Sequence, residues 1–432
     1  MNEKMNPHRI EALAGDYTVM YASLDPQRVC TYSPGICRLA SGRLVATIDL
    51  GGIGVAEFDG TKCESSLMGI PFQGRIFTSD DHGRTWIERA AFPFMHARPF
   101  AAGKSVYILG QAGDLCIIRS DDDGETWSAT SRLTRGEKWH QTPANVHYAN
   151  GCVYLVMERF GIPRCKGWNP CEIIPVLMRG HANDDLTHQD KWTFAFSEPF
   201  CDIVPDRELE WHGLPFFPAW YPAWYTAAPG RGCAPAGWLE TNVVQFTDPD
   251  HYWHDPAGKT FHLWARAHTG ITGYACVMKV TEQGDAPGSG EMITEFQTAP
   301  SGKKMLYVPC PGGQMKFHVL HDEPTQLYWL LSTQATDSMT RADRLPPERF
   351  GLPDNERRRL QLHFSKNMID WCFAGLVDVG PADNAARHYA SMIIDDDDLH
   401  VLSRSGDERA KTAHDGNLIT FHTVKNFRGL VY

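Results

Sequence analysis

The chain has no stretch of the roughly 20 consecutive apolar residues that a bilayer-spanning helix requires. Its first residues, MNEKMNPHRIEALAGDY, hold no apolar signal core. Twelve cysteines are spread from Cys30 to Cys372 without a C-x-x-C pair or a metal-like cluster, which argues against a zinc site. Reduced thiols in a cytoplasmic, non-membrane protein are the expectation. A basic surplus is also missing. The formal net charge is −11, which excludes broad nucleic-acid binding because nothing would neutralise the phosphates. An acidic whole still permits a local basic pocket for an anionic substrate. Helical periodicity is scarce, confined to 8–14 and 343–350. Cofactor and metal motifs are lacking too. The Gly-Gly turn before Lys316 in PGGQMKFHV leads into no helix, so phosphate cradling is not expected. The run Asp395–Asp398 lacks the alternating ligands of a calcium loop and reads as a hairpin tip. No cofactor is called for.

Hydrophobic residues make up 42% of the 432, enough for a large core, and the 13 tryptophans suit a β-rich protein or one that stacks on sugars. The organising feature is a repeated turn. FTSDDHGRTW (77–86) and IIRSDDDGETW (117–127) share S-x-D-x-G-x-T-W, with Ser79, Asp81, Gly83, Thr85 and Trp86 matched by Ser120, Asp122, Gly124, Thr126 and Trp127. The aspartate can accept backbone N–H bonds, the glycine tolerates positive φ, and the tryptophan can pack beneath the loop. Weaker echoes at 181–194 and 362–373 keep a polar turn ending in Trp but lose the glycine.

Ser41-Gly42 and Asn150-Gly151 between alternating apolar residues mark further hairpins. Short strands with few helices indicate an all-β protein, and six blades of roughly 70 residues would use the whole chain as one propeller domain. The proline- and aromatic-rich stretch 196–238 reads as a long inter-blade loop.

The repeated turn resembles the Asp box of the sialidase (neuraminidase) superfamily, and the order of other residues extends the likeness. The resemblance implies a six-bladed β-propeller of sialidase type. It also implies a catalytic glutamate at a strand start, Glu240 in GWLETNVVQF, and a substrate-gripping arginine one hairpin later, Arg266 in FHLWARAHTG. A further arginine before a late box-like strand would be one of Arg357, Arg358 and Arg359. A tyrosine opening a strand would be Tyr389 in HYASMIIDDDDL.

The first blade departs from the pattern. Ser33 stands in TYSPGICRL where an arginine is usual. The segment before the first box supplies no aspartate in register, with Asp49 and Asp59 both displaced.

Guanidinium groups hold a sugar carboxylate through paired, charge-assisted hydrogen bonds. A neutral phenol activated by a carboxylate avoids the repulsion that a carboxylate nucleophile would feel. Tyr389 with Glu240 fits that logic. His96 in FPFMHARPF and His140 in KWHQTPANVHY, at probable inner-strand starts, are the candidates to handle protons. The expectation is an exo-glycoside hydrolase acting on a terminal acidic sugar of a glycan or oligosaccharide. A histidine-centred polysaccharide lyase on uronates and a non-catalytic carbohydrate-binding propeller remain as alternatives. His414, Asp415 and Asn417 read first as a blade-closing turn and second as substrate contacts.

Overall fold

A computed structural model describes residues 10–63, 69–163, 170–195, 197–203, 225–228, 231–233, 236–268, 273–334, 340, 344–346 and 357–432. Six antiparallel sheets follow one another along the chain as blades. Blade 1 is Cys30–Arg38, Leu44–Gly51, Phe72–Ser79 and Ile87–Phe92. Blade 2 is Met95–Ala102, Ser105–Ala112, Asp114–Ser120 and Ser131–Arg132.

In blade 3, Trp139–His140 and His147–Ala149 share the inner position against Cys152–Phe160, followed by Ile173–His181 and Trp192–Phe194. Blade 4 is Gly237–Val244, Thr260–His268, Tyr274–Glu282 and Met292–Glu295. Blade 5 is His318–Asp322, Leu327–Thr333, Arg359–Ser365 and Cys372–Val379. Blade 6 runs Arg387–Asp395, Asp398–Ser405 and Leu418–Val424, and its outermost strand is Tyr17–Ala22 from the start of the chain. That pairing, Tyr17 opposite His422 through Ala22 opposite Leu418, closes the ring.

Apolar runs such as VYIL and VYLVM follow from this arrangement, because a blade is covered on both faces and alternate residues enter different cores. Val106 and Ile108 pack between blades 1 and 2, whereas Tyr107 and Leu109 pack between blades 2 and 3. Likewise Tyr154 and Val156 face blade 4, while Val153, Leu155 and Met157 face blade 2. Each fully buried side chain of this kind contributes roughly 1.5–3 kcal/mol.

The two repeated turns join the third and fourth strands of blades 1 and 2, and they share one geometry. Asp81 Oδ1 accepts from Thr85 N–H at 2.9 Å, Oδ2 accepts from the Thr85 hydroxyl at 2.7 Å, and Ser79 Oγ accepts from Gly83 N–H at 2.9 Å. Asp122 repeats this with Thr126 at 2.9 and 2.6 Å. Hydrogen bonds from the turn hold both aspartates at a pKa of about 2. The echo at 362–373 substitutes Asn367, whose Oδ1 accepts from the N–H groups of Ile369 and Asp370.

Residues 10–14 do not form the expected helix. Ala12 bridges Leu376, with Leu13 and Ala14 N–H donating to the Leu376 and Val377 carbonyls, because the outer strand of blade 5 offers an open edge. Residues 343 and 347–350 of the other expected helix lie outside the described residues, as do 196, 204–224, 229–230 and 234–235 of the long loop. Around the latter, Phe200–Ile203 is a helical turn, and Tyr225–Ala228 pairs with Arg231–Cys233. Asp395–Asp398 is a hairpin tip, its two ends paired.

Candidate active site

Each inner strand begins at the same end of the ring axis, and near that start four of them are distorted in the same way. The pairing register slips between Tyr32 and Gly35, Met95 and Arg98, Leu239 and Asn242, and His388 and Ser391. At each slip a non-glycine residue adopts positive φ: Ser33 (42°), His96 (55°), Glu240 (57°) and Tyr389 (49°). A left-handed residue of this kind costs on the order of 1–2 kcal/mol. Four such residues around one axis concentrate strain where bulges re-aim side chains toward a common centre.

The second strands of five blades supply a matching position. The residue opposite the one before the bulge is Asp49 in blade 1, Gln111 in blade 2, Arg266 in blade 4 and Arg404 in blade 6, and in blade 3, which has no bulge there, Glu158 lies opposite His140. All five are polar and buried, near the ends of the strands written TIDL, ILGQA, LVMER, LWARA and VLSRS.

These positions meet. Arg266 Nη1 donates to Glu240 Oε2 at 3.0 Å and to the Tyr389 hydroxyl at 2.9 Å, while its Nε donates to the Gln314 carbonyl at 2.8 Å. That carbonyl reaches in because blade 5 enters through Gly312-Gly313. A Cβ on Gly313 would stand 2.3 Å from the Tyr274 carbonyl oxygen, so only glycine fits. Glu240 and Tyr389 thus meet on one guanidinium, and each shifts the ionisation of the other. Burial acts to raise the Glu240 carboxyl, but the Arg266 guanidinium and the bonds from Tyr389 and Arg266 hold it below the usual carboxylate range. Burial, reinforced by Glu240, pushes the Tyr389 phenol up.

Two more guanidinium groups cover the phenol ring, Arg357 at 5.3 Å and Arg404 at 5.2 Å from its centroid. Arg357 Nη1 donates to His388 Nδ1 at 2.9 Å. Arg404 also lies 4.3 Å from the Tyr32 ring and donates to the His414 carbonyl. The Tyr32 hydroxyl donates to Asp415 at 2.7 Å, and His414 Nδ1 bonds the same oxygen at 2.8 Å, so the turn at 414–415 forms part of the wall. Arg358 turns away, donating to the Gly380 carbonyl and to Asp383, and Arg359 starts an outer-half strand of blade 5.

His96 and His140 face each other with ring centroids 5.1 Å apart. His96 Nδ1 bonds Gln111 Nε2 at 2.6 Å, and burial holds the ring well below the usual histidine range, hence neutral. His140 Nδ1 lies 3.4 Å from Glu158 Oε2, and Glu158 Oε1 accepts from Thr241 N–H and hydroxyl. Asp49 Oδ2 accepts from His96 N–H at 2.7 Å, and Oδ1 is buried without a hydrogen-bond partner among the described residues. Burial raises this carboxyl well above the ordinary aspartate range, so it keeps its proton.

Thus Glu240, Tyr389, Arg266, Arg357, His96 and His140 come together, joined by Asp49, Glu158 and Arg404, to which the sequence pattern assigned no role. Arg404 of blade 6 packs against Tyr32, next to Ser33, where the sequence pattern lacks an arginine. A charged residue near the end of a second strand was the available signal. Asp59 is exposed in the loop after the second strand of blade 1. The repeated turns lie at the opposite end of the strands from this site. So does the cluster His82, Asp395 and His400, where Arg38 pairs with Asp395 at 2.5 Å and would compete with a metal ion.

No family model and no curated protein matches the sequence. Solved structures do. A Dyadobacter fermentans protein of unknown function is similar at 12% identity, with 96% of this chain and 98% of that one covered, TM-score 0.51. Trypanosoma rangeli sialidase in complex with sialic acid is similar at 12% identity over 98% of this chain and 59% of the sialidase, TM-score 0.50. A Penicillium chrysogenum α-L-arabinanase complexed with arabinobiose aligns at 10% identity over 95% and 98% of the two chains, TM-score 0.47. The fold is a six-bladed β-propeller, similar to that of the sialidase.

Proposed function

We propose that this chain is a glycoside hydrolase that releases a terminal acidic sugar from glycans or oligosaccharides. The observation that carries the reading is the set of three guanidinium groups, Arg266, Arg357 and Arg404, gathered about one phenol that shares the Arg266 guanidinium with a carboxylate. Such a cluster suits a substrate carboxylate, which takes paired N–H bonds and offsets the positive surplus. Tyr389 Oη attacks the anomeric carbon while its proton passes to Glu240, whose carboxylate is ionised and in contact. The glycosidic oxygen leaves with the proton held by Asp49. Water, deprotonated by Asp49, then releases the sugar from Tyr389, and Glu240 returns the phenolic proton. His96, kept neutral by burial, positions Asp49 through its backbone N–H.

A second reading rests on the facing rings of His96 and His140. In β-elimination on a uronate, the arginines neutralise the carboxylate and a neutral imidazole removes the adjacent proton. Incubation with sialyl- and uronyl-oligosaccharides separates the readings. A free acidic sugar supports hydrolysis, an unsaturated uronate absorbing in the ultraviolet supports elimination, and saturable binding without turnover supports a lectin-like role. Hydrolysis of the acid should exceed that of its methyl ester at least ~100-fold, and Arg404→Met should narrow the gap by raising KM for the acid. Equal rates on acid and ester would remove the carboxylate clamp from the proposal.

A further inference from the structure

The end of the axis remote from Tyr389 holds a cavity of about 250 Å³. Ile36, Val146, Leu320 and Ile394 make its wall apolar, but its floor carries Arg98 and His318, which are 2% and 4% exposed. Arg98 donates through Nη1 and Nη2 to the carbonyls of Asn145 and Val156, each at 3.2 Å, and its Nε has no partner among the described residues. His318 Nδ1 accepts from Met392 N–H at 2.8 Å. That bond puts the proton of the neutral ring on Nε2, a buried donor that also has no partner among the described residues. Lys316 lies behind them, donating to the Ala390 carbonyl and the Ser391 hydroxyl.

Among the described residues no carboxylate pairs with Arg98 or Lys316 within ion-pair distance. Glu158 and Glu240, whose charges reach them, are engaged by Thr241 and Arg266. Burial lowers Arg98 to about 9, and burial together with the Arg98 charge lowers Lys316 to about 7. Buried donors without acceptors are costly, and cations left in low dielectric attract a counter-charge.

We propose that this cavity is a second ligand site, separate from the reaction centre, for a small carboxylate with a short apolar body. Its carboxylate lies over the floor formed by Arg98 and His318, while the body lies against Ile36, Val146, Leu320 and Ile394. The cavity faces the end of the propeller opposite Tyr389, so a ligand there has no access to the reacting atoms, and the site stands whether or not the proposed reaction does.

The test is calorimetric titration of the full chain with benzoate, butyrate, benzamide and chloride. The carboxylates should bind and benzamide should not. Leu320→Trp, which fills the cavity, should weaken binding at least tenfold, and Tyr389→Phe should bind like the parent. Should the tryptophan variant fail to fold, Arg98→Met, which removes the floor charge at similar volume, is expected to weaken binding likewise. No heat with either carboxylate, equal binding of benzamide, unchanged affinity in the variants, or loss of affinity in Tyr389→Phe would each overturn the site. Chloride binding as tightly as benzoate would overturn the ligand class.

Discussion

The contact between Glu240 and Arg266 lends itself to a thermodynamic cycle. Both side chains are almost fully buried and meet at 3.0 Å. Breaking such a pair by removing one charge typically costs about 3–5 kcal/mol, because the other is left uncompensated. In Glu240→Gln an amide oxygen can still accept from Arg266, recovering about 1 kcal/mol, so the expected loss is about 2–4 kcal/mol. Arg266→Met leaves Glu240 buried without its cation and also frees the Gln314 carbonyl, so about 3–5 kcal/mol is expected. With both charges gone nothing is stranded, and the double variant should lose less than about 3 kcal/mol against a sum of about 5–9. Equilibrium urea unfolding followed by tryptophan fluorescence reads each value. The pH dependence adds a sign. The folded carboxyl lies below its unfolded value, so the pair's contribution is present above the unfolded pKa and is lost as pH falls through the folded one. The parent's advantage over Glu240→Gln should therefore shrink on acidification. Additivity of the two single variants to within about 0.5 kcal/mol would refute the buried-pair reasoning.

Three more outcomes are expected. Tyr389→Phe should lower kcat to below about a thousandth of the parent's while leaving the circular dichroism and unfolding midpoint nearly unchanged; near-parent turnover would remove the phenol from the chemistry. Asp49→Asn mimics a carboxyl that stays protonated in the fold. Because the folded pKa is raised, the parent loses stability as pH climbs above the unfolded aspartate value, by about 1.4 kcal/mol for each pH unit until the folded pKa is reached, and the variant does not. The asparagine variant should thus be the more stable at pH 7 and equal to the parent near pH 3, with its hydrolysis abolished; a pH-independent difference would contradict a buried proton. Ser33→Gly relieves a left-handed serine at φ 42° and should gain about 1 kcal/mol in urea unfolding. Destabilisation instead would mean the hydroxyl makes a bond of greater worth.

The repeated S-x-D-x-G-x-T-W turns, the Asn-Gly and Ser-Gly hairpins and the apolar runs between them carried the propeller in the sequence, because turn chemistry and strand alternation are local properties. The positions of Glu240, Arg266 and Tyr389 were legible only through their order along the chain. Which of three consecutive arginines enters the site was not legible. Arg357 covers Tyr389 while its neighbour Arg358 reaches Asp383, since adjacent residues of an extended chain point to opposite sides.

By itself, then, the sequence determined the strands, their turns and the apolar faces that stack them, since each is encoded within a few neighbouring residues. Ring closure, which joins residues hundreds of positions apart, and strand register, which joins residues tens of positions apart, decided the rest. They set Arg404 of the last blade against Tyr32 of the first, brought Asp49 beneath His96, and twisted four inner strands into left-handed bulges facing one axis. A register slip of one residue would have turned every one of those side chains to the other face.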